Sequence, residues 1–272
     1  MSTGLRDSLM ELTGSIVFHS ENLVRDYQPI DLHQFRVNSR HIRSILKQLK
    51  RGHARDFNKA WGGFFAATSE ARDWDVFVGN AAELLSPEQF ALFYEAIELR
   101  IRSSHDEALD ALQSHQWERH LGDWQRFLER LEGDQAAMPA GLIAQVIDKA
   151  RKVCVMALAV NDDYTWHRFR IAVKNIRYVA NACLDDPGYD QDEITRVIET
   201  CKVLQAHLGV WHDTVVQLEL LAEDESFAGT DPASELGSIQ SNLVEQLAAR
   251  KHQLLDQVRE ALAEQDLFSE AE

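Results

Sequence analysis

Residues 31–47 read DLHQFRVNSRHIRSILK and residues 166–182 read WHRFRIAVKNIRYVANA. At an offset of 134, His33, Arg36, Arg40 and Arg43 fall on His167, Arg170, Lys174 and Arg177, in one shared spacing, His-x2-Arg-x3-Arg/Lys-x2-Arg. At about 100° per residue of helix these positions lie at about 0°, 300°, 340° and 280°, a single stripe. Apolar residues repeat in the same register, Phe35 with Phe169, Val37 with Ile171, Ile42 with Ile176 and Ile45 with Val179, mostly on a different face. Each segment is therefore a helix anchored by one face and cationic on another. In the first, the stripe runs on through Lys47 and Arg51, a ridge of about 27 Å at 1.5 Å rise per residue. The position matching Lys47 in the second is Asn181, so the first helix supplies more charge.

The rest of the chain reads as all-α. Glycine and proline are scarce, 13 and 5 in 272 residues, and no alternating β-branched runs persist between turn signals. Helices are predicted near 5–24, 30–51, 54–68, 72–85, 87–113, 115–131, 139–160, 165–184, 190–207, 209–224 and 234–265. Ser86-Pro87 is an N-cap followed by Pro at N1, Asp185-Asp186-Pro187-Gly188 ends one helix, and Asp231-Pro232 opens the last. Residues 133–141 form the most linker-like segment and divide the chain into two helical halves, 1–131 and 139–272, each with one cassette. Arg72-Asp73-Trp74-Asp75-Val76 has a weaker counterpart, at an offset of 140, in His212-Asp213-Thr214-Val215-Val216. A duplicated unit of this kind gives a bundle of two pseudo-symmetric halves whose basic helices line one central groove.

Charge distribution fixes the kind of partner. The net charge of −16 argues against a polyanion ligand if spread evenly, but it is not. Segments 32–55 and 164–184 hold 11 of the 28 basic residues and no acidic one, leaving 17 against 44, a net of −27, on the other 227 residues. Neither basic helix has acids for intrahelical pairing, so like charges crowd one face until anions fill the groove. Arginine donates two hydrogen bonds from a planar fork to adjacent phosphate oxygens, and lysine adds a point charge.

The candidate contacts are His33, Arg36, Arg40, Arg43, Lys47, Arg51, His167, Arg170, Lys174 and Arg177. Asp73 and Asp213 act as orienting partners of the guanidiniums, and Tyr178, at about 20° on the stripe, as a further hydrogen-bonding group. Trp61, Trp74, Trp117, Trp124, Trp166 and Trp211 fit packing positions, and no row of aromatics shares the basic face to stack bases, which disfavours nucleic acid. Cys154, Cys183 and Cys201 have no metal-like spacing and read as reduced structural thiols. No apolar run reaches membrane-spanning length and residues 1–7 do not resemble an export signal, so a cytoplasmic location is expected.

The segments 31–47, 71–78 (ARDWDVFV), 166–182 and 203–221 (VLQAHLGVWHDTVVQLELL), in this order, resemble the CHAD family, the conserved histidine α-helical domain. The resemblance spans almost the whole chain, as a single domain over 1–272. It implies a helical bundle that binds inorganic polyphosphate in a basic central groove without catalysis and without a cofactor or metal. It also implies association with polyphosphate granules or with a polyphosphate-metabolising enzyme. Two other readings compete. One is a metal-dependent phosphohydrolase with His33, His167, His212, Asp73 and Asp213 as ligands, although the basic stripes contain no carboxylate to converge on an activated water. The other is a generic polyanion scaffold for an acidic peptide or nucleic acid.

Overall fold

A computed structural model describes residues 5–49, 52–131, 141–184, 188–227 and 229–268. Ten α-helices follow one another: α1 (Leu5–Arg25), α2 (Pro29–Leu46), α3 (Gly52–Ala67), α4 (Ser69–Leu84), α5 (Pro87–Gln113), α6 (His115–Glu129), α7 (Leu142–Val160), α8 (Asp163–Ala182), α9 (Gln191–Glu223) and α10 (Glu235–Ala263). Short 3-10 turns at Glu225–Phe227 and Asp266–Phe268 complete the described chain, which contains no strand.

Local chemistry sets the helix ends. Ser86 and Gln89 form a reciprocal capping box, with Pro87 at the first helical position of α5. Ser114, Asp162 and Asp190 accept hydrogen bonds from the first-turn amides of α6, α8 and α9. The last helix starts later than Asp231-Pro232 suggests: Ser234 is its cap, accepting from the Gly237 amide at 3.0 Å. The chain folds back so closely there that a Cβ on Gly237 would run into the Asp231 carbonyl.

Two expected boundaries move. Helix α2 ends at Leu46, with Lys47 as its C-cap, so the ridge does not continue as helix through Arg51, which lies outside the described residues. The helices expected at 190–207 and 209–224 are one, α9, 33 residues long. Gly209 costs about 1 kcal/mol in a helix interior. Leu204, Leu208, Trp211 and Val215, buried on one face across it, outweigh that cost.

The duplication is visible in burial. Leu32 and Trp166, Phe35 and Phe169, Ser39 and Val173, Ile42 and Ile176, Ile45 and Val179, and Leu46 and Ala180 are equivalent at the 134 offset, and all are buried. At the 140 offset, Trp61 matches Cys201, Phe64 matches Leu204, Thr68 matches Leu208 and Ala71 matches Trp211, again all buried. Helices α3 and α4 together thus correspond to α9, broken at Thr68 (φ −100°, ψ 5°) where α9 is continuous.

The larger apolar core draws on both sequence halves, from Leu9, Phe35 and Trp61 to Val173, Leu208 and Val258. Trp61 sits edge-on to Trp117 and Trp124 at 5.8 and 5.7 Å between ring centroids. A second core joins α4, α5, α9 and α10 through Trp74, Phe77, Phe93, Ile97, Leu221 and Leu243. Near their junction Asp75 accepts from the Tyr27 hydroxyl at 3.0 Å and meets His105 Nε2 at 2.9 Å, tying the α1–α2 connection to α4 and α5. Against this frame α2 packs on α8, and α4 packs on α9.

Candidate functional site

A cavity of about 540 Å³ opens between these four helices. From α2 and its cap come His33, Arg36, Arg40, Arg43 and Lys47; from α8 come His167, Arg170, Lys174 and Tyr178. Helix α4 adds Arg72 and Asp73, and α9 adds His212 and Asp213. The stripe helices reach the cavity because their apolar faces are spent on the core behind them. Val37 and Ile171 belong to the cavity face and not to the buried face. Of the described sequence candidates, Arg177 does not line the cavity: it lies over the Tyr178 ring at 5.4 Å, its Nε buried without a hydrogen-bond partner among the described residues; Arg51 lies outside the described residues. Asn181, the counterpart of Lys47, borders a different cleft, with Ser8, Ser15 and Asn38.

The lining holds seven Lys and Arg side chains against two carboxylates. Among the described residues none of the seven forms an ion pair with an acid. Arg72 and His212, equivalent at the 140 offset, were not named as contacts from sequence; their places beside Asp73 and Asp213 in the repeated motif are the signal that could have found them.

Crowding shows in the acid–base behaviour. Burial, with the charges of Arg170 and Arg40, pushes the Lys174 ammonium down to about 5. Burial and Arg40 lower Arg36 to about 9 and Arg170 to about 10, which leaves both charged at neutral pH. Arg43 and Lys47 are lowered as well, by burial first and then by Arg40 and Arg43 respectively. Burial, His212, Arg170 and Lys174 take His167 to about 4, and burial and Arg72 lower His33. The rings of His167 and His212 stand 4.6 Å apart. His212 Nδ1 is 3.9 Å from Asp213 Oδ1, too long for a hydrogen bond. Burial carries Asp73 up to about 6 against the pull of Arg36. For Asp213 burial pushes upward too, but His212, Arg170 and Lys174 outweigh it and hold the carboxyl low. The basic groups of the cavity are thus short of counter-charge, the condition an anion relieves.

The two walls are unlike. Arg36, 8% exposed, donates through Nη1 to the Phe65 carbonyl at 2.8 Å, Thr68 Oγ1 at 3.0 Å and Ser69 Oγ at 3.1 Å. The break at Thr68 supplies these acceptors. Helix α9 is unbroken at the equivalent place, and the Nε of Arg170, the counterpart of Arg36, is buried with no hydrogen-bond partner among the described residues. No group of three or more His, Cys, Asp or Glu side chains among the described residues is arranged to hold a metal ion. No helix among them is long and apolar enough to cross a membrane.

The family model for the CHAD domain matches residues 8–222, well over half of the chain, and the chain belongs to that family. The crystal structure of the CHAD domain from the plant Ricinus communis superposes with a TM-score of 0.74 at 22% identity, covering 98% of this chain and 93% of that one. The shared fold is therefore that of a CHAD domain. No curated protein matches the chain.

Proposed function

We propose that this member of the CHAD family binds inorganic polyphosphate in the cavity between α2 and α8 and does not turn it over. The observation that carries the reading is the set of seven Lys and Arg side chains in the cavity, none ion-paired with an acid among the described residues, drawn from both halves of the duplicated chain. A linear polyanion supplies repeated tetrahedral phosphates to which arginine forks donate bidentate, charge-assisted hydrogen bonds. Among the described residues Phe65 and Tyr178 are the only Phe, Tyr or Trp side chains of the lining, which favours phosphate over stacked bases. The acidic exterior restricts polyanions to this one place. In the cell such a module acts in the cytoplasm as an adaptor, bringing itself or a polyphosphate-metabolising enzyme to polyphosphate granules.

Filter binding of long-chain polyphosphate at several salt concentrations tests the reading. By analogy with phosphate contacts in nucleic-acid complexes, log K falls linearly with log salt, and each lost contact flattens the slope by about 0.7 to 0.9. Arg40→Ala combined with Lys47→Ala is expected to weaken binding and flatten the slope. Unchanged affinity and slope would remove the cavity from consideration. Phosphate release with added divalent metals would establish the hydrolase instead, and displacement by single-stranded DNA or poly-Glu at equal charge would establish a generic polyanion scaffold.

A further inference from the structure

We infer that Phe65, with Gly62 one turn before it on α3, is the positioning residue of the first wall: its ring is the shelf on which three arginines of α2 are held facing the cavity. The inference rests on the polyphosphate reading and adds to it a residue that bears no charge. The guanidinium carbons of Arg36, Arg40 and Arg43 lie 4.1, 5.1 and 5.3 Å from the centroid of this one ring. All three are within cation–π range. Gly62 completes the shelf, since a Cβ there would sit 3.3 Å from Arg43 Nη2 and 3.5 Å from its Cζ. The Arg43 guanidinium therefore lies against the α3 backbone, and a Cβ at this position would press it away by a few tenths of an ångström.

The physical need is clear. Three long side chains of like charge on one helix face repel each other and spread over many rotamers, and a ligand that must gather them loses affinity to that ordering. An aromatic face attracts each guanidinium and is not hydrated as a carboxylate would be. Unlike a carboxylate, it leaves the positive charge unneutralised for the ligand. The second wall has no such shelf. Its counterpart of Phe65 is Gln205, whose Nε2 donates to the Val173 carbonyl at 3.3 Å inside the core.

Phe65→Leu keeps the backbone carbonyl that holds Arg36 and removes only the ring. Long-chain polyphosphate is expected to bind this variant about tenfold more weakly, the scale of ordering one or two released arginine side chains on binding. The slope of log K against log salt should stay at the wild-type value, because no cation is lost. Phe65→Trp restores affinity, and Gly62→Ala weakens it by displacing Arg43. A flattened slope in Phe65→Leu, or wild-type affinity, overturns the inference. An arm without ligand separates this failure from failure of the functional reading. In arginine-labelled protein, the Nε–H resonances of the α2 arginines carry ring-current shifts that collapse in Phe65→Leu and persist in Phe65→Trp. If wild-type protein binds no polyphosphate, the functional reading fails while these resonances still decide whether the shelf exists; shifts unaltered by Phe65→Leu refute it. Equal melting temperatures of wild type and variants exclude a folding defect as the cause.

Discussion

Polyphosphate binding should take up protons, and Lys174 should be the main carrier. Burial and the charges of Arg170 and Arg40 push its ammonium down to about 5, so at pH 7 only about one molecule in a hundred carries the charge. A phosphate chain laid along the groove supplies the missing counter-charge and returns Lys174 toward its ordinary value, 10.5. Charging it at pH 7 costs about 3 kcal/mol, two units at 1.36 kcal/mol each, which the ligand must supply. The group titrates higher in the complex than in the free protein, so the complex holds more protons and affinity falls as pH rises between these limits. A fall of about tenfold per unit between pH 6 and 9 is expected for one linked proton. Asp73, raised to about 6, is pushed further up by a neighbouring polyanion and adds uptake just above that pH. Titration calorimetry with long chains, in buffers of different ionisation enthalpy, counts the protons directly. At pH 7 Lys174→Met should take up about one proton fewer than the wild type. No uptake by the wild type, or an unchanged count in the variant, would refute the reasoning.

Lys174→Met has a second effect, on the free protein. Because folding lowers this pKa, the unfolded chain holds a proton that the fold sheds between about 5 and 10.5, and stability from this group rises with pH across that window. Urea unfolding at pH 7 should find Lys174→Met more stable than wild type by up to about 5 kcal/mol, about 3.5 units at 1.36 kcal/mol each, a gain in stability at the expense of binding. Arg36→Gln and Arg170→Gln, equivalent by sequence, should separate: the first loses three hydrogen bonds to a charged group and about 2 kcal/mol of stability in urea, while the second weakens polyphosphate binding without that loss. Gly237→Ala should lower the melting temperature by several degrees, because the Asp231 carbonyl and Pro232 occupy the space of its Cβ.

Much of this arrangement was legible in the sequence because the duplicated cassette carries its own register. Phe35 and Phe169 mark the buried faces of α2 and α8, and the stripe angles place His33 with Arg40 and His167 with Lys174 on the cavity side. Ser86-Pro87 marks the start of α5 by its own chemistry. The helices expected at 190–207 and 209–224 are continuous because the local cost of Gly209 is small beside the burial of Leu208 and Trp211, which only the tertiary fold supplies. The equivalence of Lys47 and Asn181 did not carry over into shared placement, because α2 ends at Leu46 while α8 continues to Ala182. The role of Phe65 leaves no trace in helical periodicity: the ring lies on α3, and the arginines it serves are on α2. Nor does the stripe distinguish Arg36 from Arg170, since the difference arises at Thr68, on another helix again.

The unbroken course of α9 bears on how the molecule comes apart. Cys201, Leu204 and Trp211 belong to the larger core and Leu221 to the smaller, so one rod is embedded in both. Neither core can melt without exposing the face that the same helix presents to the other. Gly209, His212 and Asp213, on the stretch of α9 leading from one core to the other, form part of the cavity wall. The cavity wall thus includes the stretch of α9 that joins the two cores, and a single unfolding transition for the two sequence halves is the expected outcome.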